Sequence, residues 1–169
     1  TYPVNWGPID ILDVWKERAK IWQPKHYSIY IHFPFCKEMC PFCTFCHIPW
    51  NEELARAYIS CLRKEVLVYA NHARFADVTI DSIYLGGGTP CLIPHDLFGG
   101  LLKILLQEFP TRPGLEITLE CNPVDVSMSL LENVAIAGVN RVSFGVQAFS
   151  EKLTSMLRIR DRNQAAIKA

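Results

Sequence analysis

The sequence predicts an α/β fold in which about four βα units form a parallel sheet, as part of a (β/α) barrel. Two observations carry this prediction. Short runs rich in β-branched residues alternate along the chain with longer segments in which apolar residues recur at helical spacing. In addition, 50% of the 169 residues are apolar, which is enough to bury the core of a layered domain.

The predicted elements follow from these two periodicities. Strands are predicted at 28–32, 81–85, 115–120 and 141–145. Helices are predicted at 52–72, 94–109 and 127–137, with a further helix beginning near Ser150.

The expected helix ends rest on particular residues. Asn51 is the expected N-cap of the first helix, because its side chain can accept a bond from the first turn. Pro110, Pro113 and Gly114 are expected to end the second helix. Gly138 follows the third helix, at a position that favours a left-handed conformation.

The chain divides at the first predicted strand. Residues 1–27 are rich in Pro and Trp, contain a short helical pattern over 9–21, and are interpreted as an N-terminal extension. Three of its side chains are candidates to meet a substrate or, equally, to cap and pack a surface helix: Asp10, Asp13 and Trp15. Because four βα units do not close a barrel, residues 28–169 are expected to be the N-terminal part of a longer core domain.

Composition excludes several classes of function. The 17 basic and 17 acidic residues balance, which gives no broad electrostatic footprint for nucleic acid. No apolar run approaches the length of a membrane span, and no signal peptide is visible. Four of the seven cysteines fall within 36–46, which argues against a secreted disulfide framework and favours a reducing, cytoplasmic compartment. A fifth, Cys61, falls on the apolar side of the first helix and is expected in the core.

The cysteine loop is the candidate metal site. Cys36, Cys40 and Cys43 supply three thiolates from eight residues, and three ligands on a cubane of four irons leave one iron open. An open coordination position is characteristic of a reacting metal site. Two alternatives stay open at this point. Cys46 can complete a four-thiolate zinc site, although zinc ligands usually come from two separated loops, or the cysteines can be core residues without a metal.

Functional groups are expected to converge at one edge of the sheet. In parallel sheets they gather at the carboxyl ends of the strands. The cysteine loop, the three glycines at 86–88, Glu120 and Gln147 each follow or end a different predicted strand. The sequence therefore predicts one site built from four strand ends.

Four segments resemble the radical SAM superfamily, and within it the family of oxygen-independent coproporphyrinogen III oxidases, which also contains haem chaperones and radical C-methylases. The segments are YIHFPFC at 30–36 with CPFC at 40–43, YLGGGTP at 84–90, EITLECNP at 116–123 and GVNRVSFGVQAF at 138–149. They follow the order of the family and span residues 28–149.

The resemblance implies a mechanism and roles for individual residues. Cys36, Cys40 and Cys43 would hold a [4Fe–4S] cluster, and S-adenosylmethionine would cap the fourth iron and be cleaved to a 5′-deoxyadenosyl radical. Tyr30 and Glu120 are the implied catalytic residues beside this cofactor. At Gly87 and Gly88 the backbone of the glycine run would lie close to the methionine part of S-adenosylmethionine.

A second S-adenosylmethionine is also implied. The family positions that contact it correspond to Phe42, Gly88, Thr89 and Gln147. An arginine shortly after the last motif usually contributes in the family, and this chain offers two near the expected place, Arg158 and Arg160.

The sequence departs from its relatives after the third cysteine. Thr44-Phe45-Cys46 fits neither the coproporphyrinogen enzymes nor the haem chaperones, so Cys46 is a spectator or a thiol facing substrate. Cys91 and Cys121 are expected to be small buried residues.

The sequence supports three candidate functions. The first is a radical enzyme that decarboxylates a porphyrinogen or transfers a methyl or methylene carbon to another unsaturated or aromatic metabolite, with flavodoxin or ferredoxin as electron donor. The alternatives are a haem chaperone and a zinc-binding module. A porphyrinogen needs cations for its carboxylates, and the candidates are Arg141, Arg158, Arg160 and Arg162.

Overall fold

The fold of the protein, in a computed structural model, is a parallel sheet with helices on one face. The structure describes residues 13–14, 16–17, 25–72, 75, 77–159, 164–165 and 167. In chain order the strands and α-helices are β1 (His26–Phe33), β2 (Phe35–Cys36), β3 (Ile48–Pro49), α1 (Glu52–Ala70), β4 (Thr79–Gly87), α2 (His95–Glu108), β5 (Thr111–Cys121), α3 (Met128–Ile136), β6 (Arg141–Phe144) and α4 (Glu151–Met156). Short 3-10 helices follow β4 (Pro90–Leu92) and β5 (Pro123–Asp125).

The main sheet has the order β1-β4-β5-β6, and every neighbouring pair is parallel. The strand-helix alternation in the sequence predicted this parallel α/β architecture, and the structure confirms it. In each strand, side chains alternate between two faces. One face carries fully buried residues, such as Phe33, Leu85 and Leu119, which pack against the helices. The other face is polar.

Polar contacts run across the second face of the sheet. The Ser82 hydroxyl donates to Ser28 at 2.8 Å, between β4 and β1. The Arg141 guanidinium pairs with Glu116 at 3.0 Å, between β6 and β5. This polar face leads to the strand ends that carry the site.

The predicted helix ends at Asn51 and Gly138 are confirmed. The Asn51 side chain accepts a bond from the Leu54 amide at 2.9 Å, so α1 begins at Glu52. Ser127 caps α3 in the same way, through the Leu130 amide at 3.2 Å. Gly138 has φ of 113°, in the region that favours glycine.

Several element boundaries differ from prediction by one or two residues, and the start of β5 differs by more. α1 ends at Ala70 rather than at residue 72. β5 begins at Thr111 and includes Pro113 and Gly114, which were expected to end the second helix. Its early start has a local cause: the Pro110 carbonyl accepts the Ile80 amide at 2.8 Å, and the register then shifts before the regular pairing. Pairing with β4 overrides the local turn preference of these residues.

The expectation that Cys61 is a core residue is wrong. Cys61 is exposed. The buried residues of α1 are Ala55, Ile59 and Val66. At about 100° per residue, Cys61 lies far around the helix from both Ile59 and Val66. Apolar residues of α1 are not confined to its buried side, since Leu54, Leu67 and Val68 are also exposed. Their spacing alone therefore did not show which side of α1 faces the core.

Several expectations fall outside the described residues. They are most of the helical pattern over 9–21, the side chains of Asp10 and Trp15, and the two arginines Arg160 and Arg162. Asp13 is described, is exposed and pairs with Lys16 at 2.9 Å. Among the residues that the structure describes, none of the helices combines the length and apolar character needed to cross a bilayer.

Candidate functional site

The cysteine loop is anchored by a small parallel pair that the sequence did not predict. After β1, β2 pairs with β3, and the bonds are Ile48 amide to Pro34 carbonyl at 2.7 Å and Trp50 amide to Cys36 carbonyl at 2.8 Å. Both ends of the loop are thereby fixed beside each other. α1 begins immediately afterwards.

The thiols of the loop differ in burial. Cys36 is buried in β2, Cys40 and Cys43 are half-buried, and Cys46 is exposed. Between the second and third cysteine the chain turns tightly, with the Cys43 amide donating to the Cys40 carbonyl at 3.0 Å. Cys46 thus differs from the other three in its environment.

A cavity of about 330 Å³ lies beside this loop, at the carboxyl ends of the main strands. Except for Tyr30 and the two candidate arginines, the site residues predicted from the sequence line it: Cys36, Cys40, Phe42, Cys43, Gly87, Gly88, Thr89, Glu120 and Gln147. The structure therefore brings together side chains from four separate strand ends, as the parallel topology predicted.

Two glycines let the end of β4 approach the cysteine loop. Gly87 has φ of 116°, and a Cβ there would lie 2.8 Å from the His32 ring. At Gly88 a Cβ would lie 2.7 Å from the Phe35 carbonyl oxygen and 2.9 Å from Cys36 Sγ. Real Cβ atoms do not come this close to a backbone oxygen, so the packing at Gly88 requires glycine.

The Glu120 carboxylate is held from two sides. The Tyr84 hydroxyl donates to Oε1 at 2.6 Å, and the Gly87 amide donates to Oε2 at 3.3 Å. The hydrogen bond to Glu120 raises the pKa of Tyr84, and burial adds to this effect. Each carboxylate oxygen keeps a further lone pair for a ligand in the cavity. The carboxylate is therefore oriented before any ligand binds.

Tyr30 lies on the polar face of the sheet, next to this carboxylate but outside the cavity lining. Its ring stacks on Tyr84 with centroids 6.0 Å apart. Burial raises the pKa of Tyr30, and the nearby Glu120 charge adds to it. The side chains of Tyr30, Tyr84 and Glu120 all lie within 3.1 Å of the Cβ position of Gly86. They form one cluster beneath the cavity.

His32 connects this cluster to the cysteine loop. Its Nε2 lies 2.9 Å from the Cys46 carbonyl oxygen, and its Nδ1 lies 3.2 Å from the Tyr30 hydroxyl. Since a carbonyl only accepts, a neutral ring carries its proton on Nε2 and accepts the Tyr30 hydroxyl at Nδ1. His32 therefore fixes the far end of the loop to β1.

Three further candidate residues differ in whether they reach the cavity. Gln147 lines the cavity and has φ of 68°, a left-handed conformation that costs a non-glycine residue about 1–2 kcal/mol. Arg158 is exposed and is not part of the described cavity lining. Arg141 is engaged with Glu116, so its guanidinium is already paired.

The arrangement of the thiols bears on which metal they suit. Thiolates on one tetrahedral zinc, each about 2.3 Å from the metal, lie within about 4 Å of one another. Among the described residues, no three Cys, His, Asp or Glu side chains converge closely enough to hold one ion. A cubane binds one thiolate per iron, so its ligands stay further apart. Three thiols that line one cavity are a donor set that fits a cluster with one open iron.

Cys91 and Cys121 are buried, as predicted, and they contact each other. A hydrogen bond from the Cys121 thiol lowers the pKa of Cys91, and the same bond raises the pKa of Cys121. Cys91 belongs to the 3-10 helix after β4 and Cys121 ends β5. Cys121 therefore lines the cavity, and Cys91 packs against it outside the lining.

Sequence reasoning missed Tyr84, which looks like an ordinary apolar residue of a strand. Two-residue alternation along parallel strands was the signal that could have found it, since it places Tyr84 on the same face as Tyr30 and Glu120. Asn122 was quoted only as part of a motif. It lines the cavity, and its Oδ1 is buried without a partner among the described residues.

The fold and the three-cysteine site together define a radical SAM core, and comparison with known proteins agrees. The family model described as the radical SAM superfamily matches residues 30–169. The chain belongs to this superfamily.

Curated relatives with similar sequences carry several names. The chain is 36% identical over 124 residues to an oxygen-independent coproporphyrinogen III oxidase of Bradyrhizobium diazoefficiens, covering 72% of this chain and 27% of that protein. It is 32% identical to an anaerobilin synthase of Escherichia coli O157:H7, covering 82% and 33%. It is 34% identical to the heme chaperone HemW of Haemophilus influenzae, covering 82% and 37%. The chain thus spans about a third of the length of these relatives.

A solved structure shares the fold. The coproporphyrinogen III oxidase HemN from Escherichia coli, described as a radical SAM enzyme, matches with a TM-score of 0.82 and 24% identity. The match covers 99% of this chain and 39% of that one. It confirms the partial α/β barrel.

Proposed function

We propose that Cys36, Cys40 and Cys43 hold a [4Fe–4S] cluster and that S-adenosylmethionine binds at its open iron. The chain would form the cluster-bearing part of a radical SAM enzyme. The observation that carries this proposal is the cavity itself, in which these three thiols face Gly87, Gly88 and Glu120 from neighbouring strands. When bound, the cluster supplies one electron that cleaves S-adenosylmethionine to methionine and a 5′-deoxyadenosyl radical.

The side chains of the chain bind and orient in this proposal. Gly88 lets the backbone approach the cysteine loop, because it carries no Cβ. Glu120 accepts hydrogen bonds from the cofactor while Tyr84 and the Gly87 amide hold its carboxylate in place. Preorganised acceptors of this kind need no rearrangement when the ligand arrives.

The second S-adenosylmethionine is a further part of the proposal. Phe42 and Gln147 lie on the wall of the same cavity, as do Gly88 and Thr89. Phe42 offers an aromatic surface and Gln147 an amide that both donates and accepts. Arg158 would have to turn toward the cavity to contribute, because it is exposed outside its lining.

For the substrate we propose a tetrapyrrole or a related unsaturated metabolite. The names of the relatives refer to coproporphyrinogen III and to heme, and this supports a tetrapyrrole. The reaction would be an oxidative decarboxylation or the transfer of a methyl or methylene carbon, with flavodoxin or ferredoxin as the electron donor in the cytoplasm.

The test is anaerobic reconstitution with iron and sulfide, followed by reduction in the presence of S-adenosylmethionine. We expect 5′-deoxyadenosine, detected by mass spectrometry. The Cys43→Ala variant should lose both the cluster and this product, whereas Cys46→Ala should keep most of the cluster. Cluster loss in Cys46→Ala would overturn the ligand assignment, and a colourless protein with one bound zinc would overturn the proposal.

The products also separate the reaction types. S-adenosylhomocysteine together with 5′-deoxyadenosine would indicate methyl transfer. Heme retained on the protein without any 5′-deoxyadenosine would indicate a chaperone and contradict the proposed enzyme.

A further inference from the structure

Thr89 lines the cavity, and its side chain lies against the cysteine loop. Thr89 follows Gly88 directly and is only 7% exposed. Its amide donates to the Phe35 carbonyl at 2.9 Å, and the Gly88 amide donates to the Phe33 carbonyl at 2.8 Å. These two bonds continue the β1–β4 contact beyond the ends of both strands. The backbone of Thr89 is therefore fixed beside β2.

This placement aims the Thr89 hydroxyl at Cys36. Oγ1 lies 3.5 Å from Cys36 Sγ, and the hydroxyl is the donor of this buried contact. Bonds to sulfur are longer than bonds to oxygen because the sulfur atom is larger. Cys36 is also the most buried of the three thiols, at 8% exposed. A mostly buried anionic sulfur is stabilised by a donor close by, since little water reaches it.

We propose that Thr89 is a positioning residue for Cys36 and that its hydroxyl sets the reduction potential of the cluster. This inference rests on the proposed function, in which Cys36 is a cluster ligand. Hydrogen bonds to cluster sulfurs stabilise the more negative, reduced state and thereby raise the reduction potential. The effect is strong here because the contact is buried in a region of low dielectric constant.

The hydrogen bond to Cys36 limits how the Thr89 hydroxyl can contact a second S-adenosylmethionine. A hydroxyl has one hydrogen to donate and two lone pairs. When the hydrogen is given to Cys36, Thr89 can contact a ligand in the cavity only as an acceptor. Its partner on that ligand must then be an N–H or O–H group.

Two variants of Thr89 test the inference. Thr89→Val has nearly the same shape and lacks the hydroxyl, whereas Thr89→Ser keeps the hydroxyl and loses the methyl group. The measurement is the midpoint potential of the reconstituted cluster, from a redox titration followed by EPR without S-adenosylmethionine. We expect Thr89→Val to shift to a more negative potential and Thr89→Ser to stay near the wild type.

A remote buried threonine serves as the control. Thr154 is 5% exposed, and its hydroxyl donates to the Glu151 carbonyl in α4. Thr154→Val should leave the potential unchanged. An unchanged potential in Thr89→Val would overturn the inference.

If a Thr89 variant does not hold the cluster, its potential cannot be measured, and its iron content tests the inference instead. Loss of iron in Thr89→Val but not in Thr89→Ser would support the hydroxyl as the group that positions Cys36. Loss of iron in both variants would overturn the role of the hydroxyl and would indicate that Thr89 acts only through packing. A wild-type protein that forms no cluster would instead refute the proposed function, so the two failures are distinguishable.

Discussion

At the scale of single residues, the site depends on backbone approach and on one oriented carboxylate. The cysteines, the glycines and Glu120 could be predicted from the sequence, because each has an unusual residue type at a strand end. The bond between Tyr84 and Glu120 and the contact between Thr89 and Cys36 could not, because they depend on how separate strands lie against one another. Register is a tertiary property that a single strand does not specify.

Gly88→Ala tests the close approach at the cysteine loop. The added Cβ would meet backbone at Phe35 and the sulfur of Cys36, so the loop has to move. We expect the variant to fold but to take up much less iron and sulfide on reconstitution. The measurement is the iron and sulfide content per chain, together with circular dichroism.

Gly99→Ala is the matched control for this substitution. Gly99 lies inside α2, and apart from its chain neighbours and the nearby backbone of its own helix, no described atom is within 4 Å of its Cβ position. Alanine in a helix interior is favoured over glycine by about 0.5–1 kcal/mol, so this variant should be slightly more stable and keep its cluster. Equal iron content in the two variants would refute the close approach.

The pKa of Tyr84 tests whether Glu120 is held as described. The bond to Glu120 raises this pKa above the ordinary value of 10.0. The resulting stability is fully present below the ordinary tyrosine pKa and is lost as the pH rises through the raised value. We expect Glu120→Gln to lower the pKa of Tyr84, measured by NMR of tyrosine labelled at the ring carbon that bears oxygen.

Tyr84→Phe assigns the signal in that experiment, and Tyr69 is the internal control. Burial raises the pKa of Tyr69, and Glu65 adds to it through its charge and a hydrogen bond of 3.2 Å. This pair is independent of Glu120. A Tyr84 signal that titrates identically in wild type and Glu120→Gln would contradict the described contact.

At the scale of elements, α1 follows the cysteine loop without a linker, so its first turn defines where the loop ends. The sequence predicted the start of α1 correctly, because Asn51 is a strong local signal. It predicted the start of β5 poorly, because pairing of Pro110 and Thr111 with β4 outweighs the turn preference of the segment. The two-residue strands β2 and β3 are too short to carry any periodicity.

Asn51→Ala tests this helix start. Its side chain satisfies the Leu54 amide at 2.9 Å, and loss of an N-cap costs about 1 kcal/mol. We expect a lower urea midpoint with an unchanged m-value. Ser150→Ala is the control: Ser150 stands at the N-cap of α4, where its side chain makes no capping bond within the described residues. Equal losses of stability in both variants would contradict a stabilising capping bond at Asn51.

At the scale of the whole molecule, the parallel sheet separates two kinds of surface. The helices cover the apolar face, and the polar face leads to the carboxyl ends, where the cavity lies. Sequence periodicity could predict this because a parallel α/β topology has few solutions. The substrate could not be predicted in the same way, because the chain spans about a third of its relatives and Arg141 is already paired with Glu116.

The central claim is that three thiolates hold a four-iron cluster whose open iron binds S-adenosylmethionine. The most direct measurement is Mössbauer spectroscopy of the ⁵⁷Fe-reconstituted protein, with and without S-adenosylmethionine. The account predicts that the cofactor changes the signal of one iron in four and leaves the other three unchanged. A spectrum that does not respond to S-adenosylmethionine, or one showing four irons held alike, would contradict it.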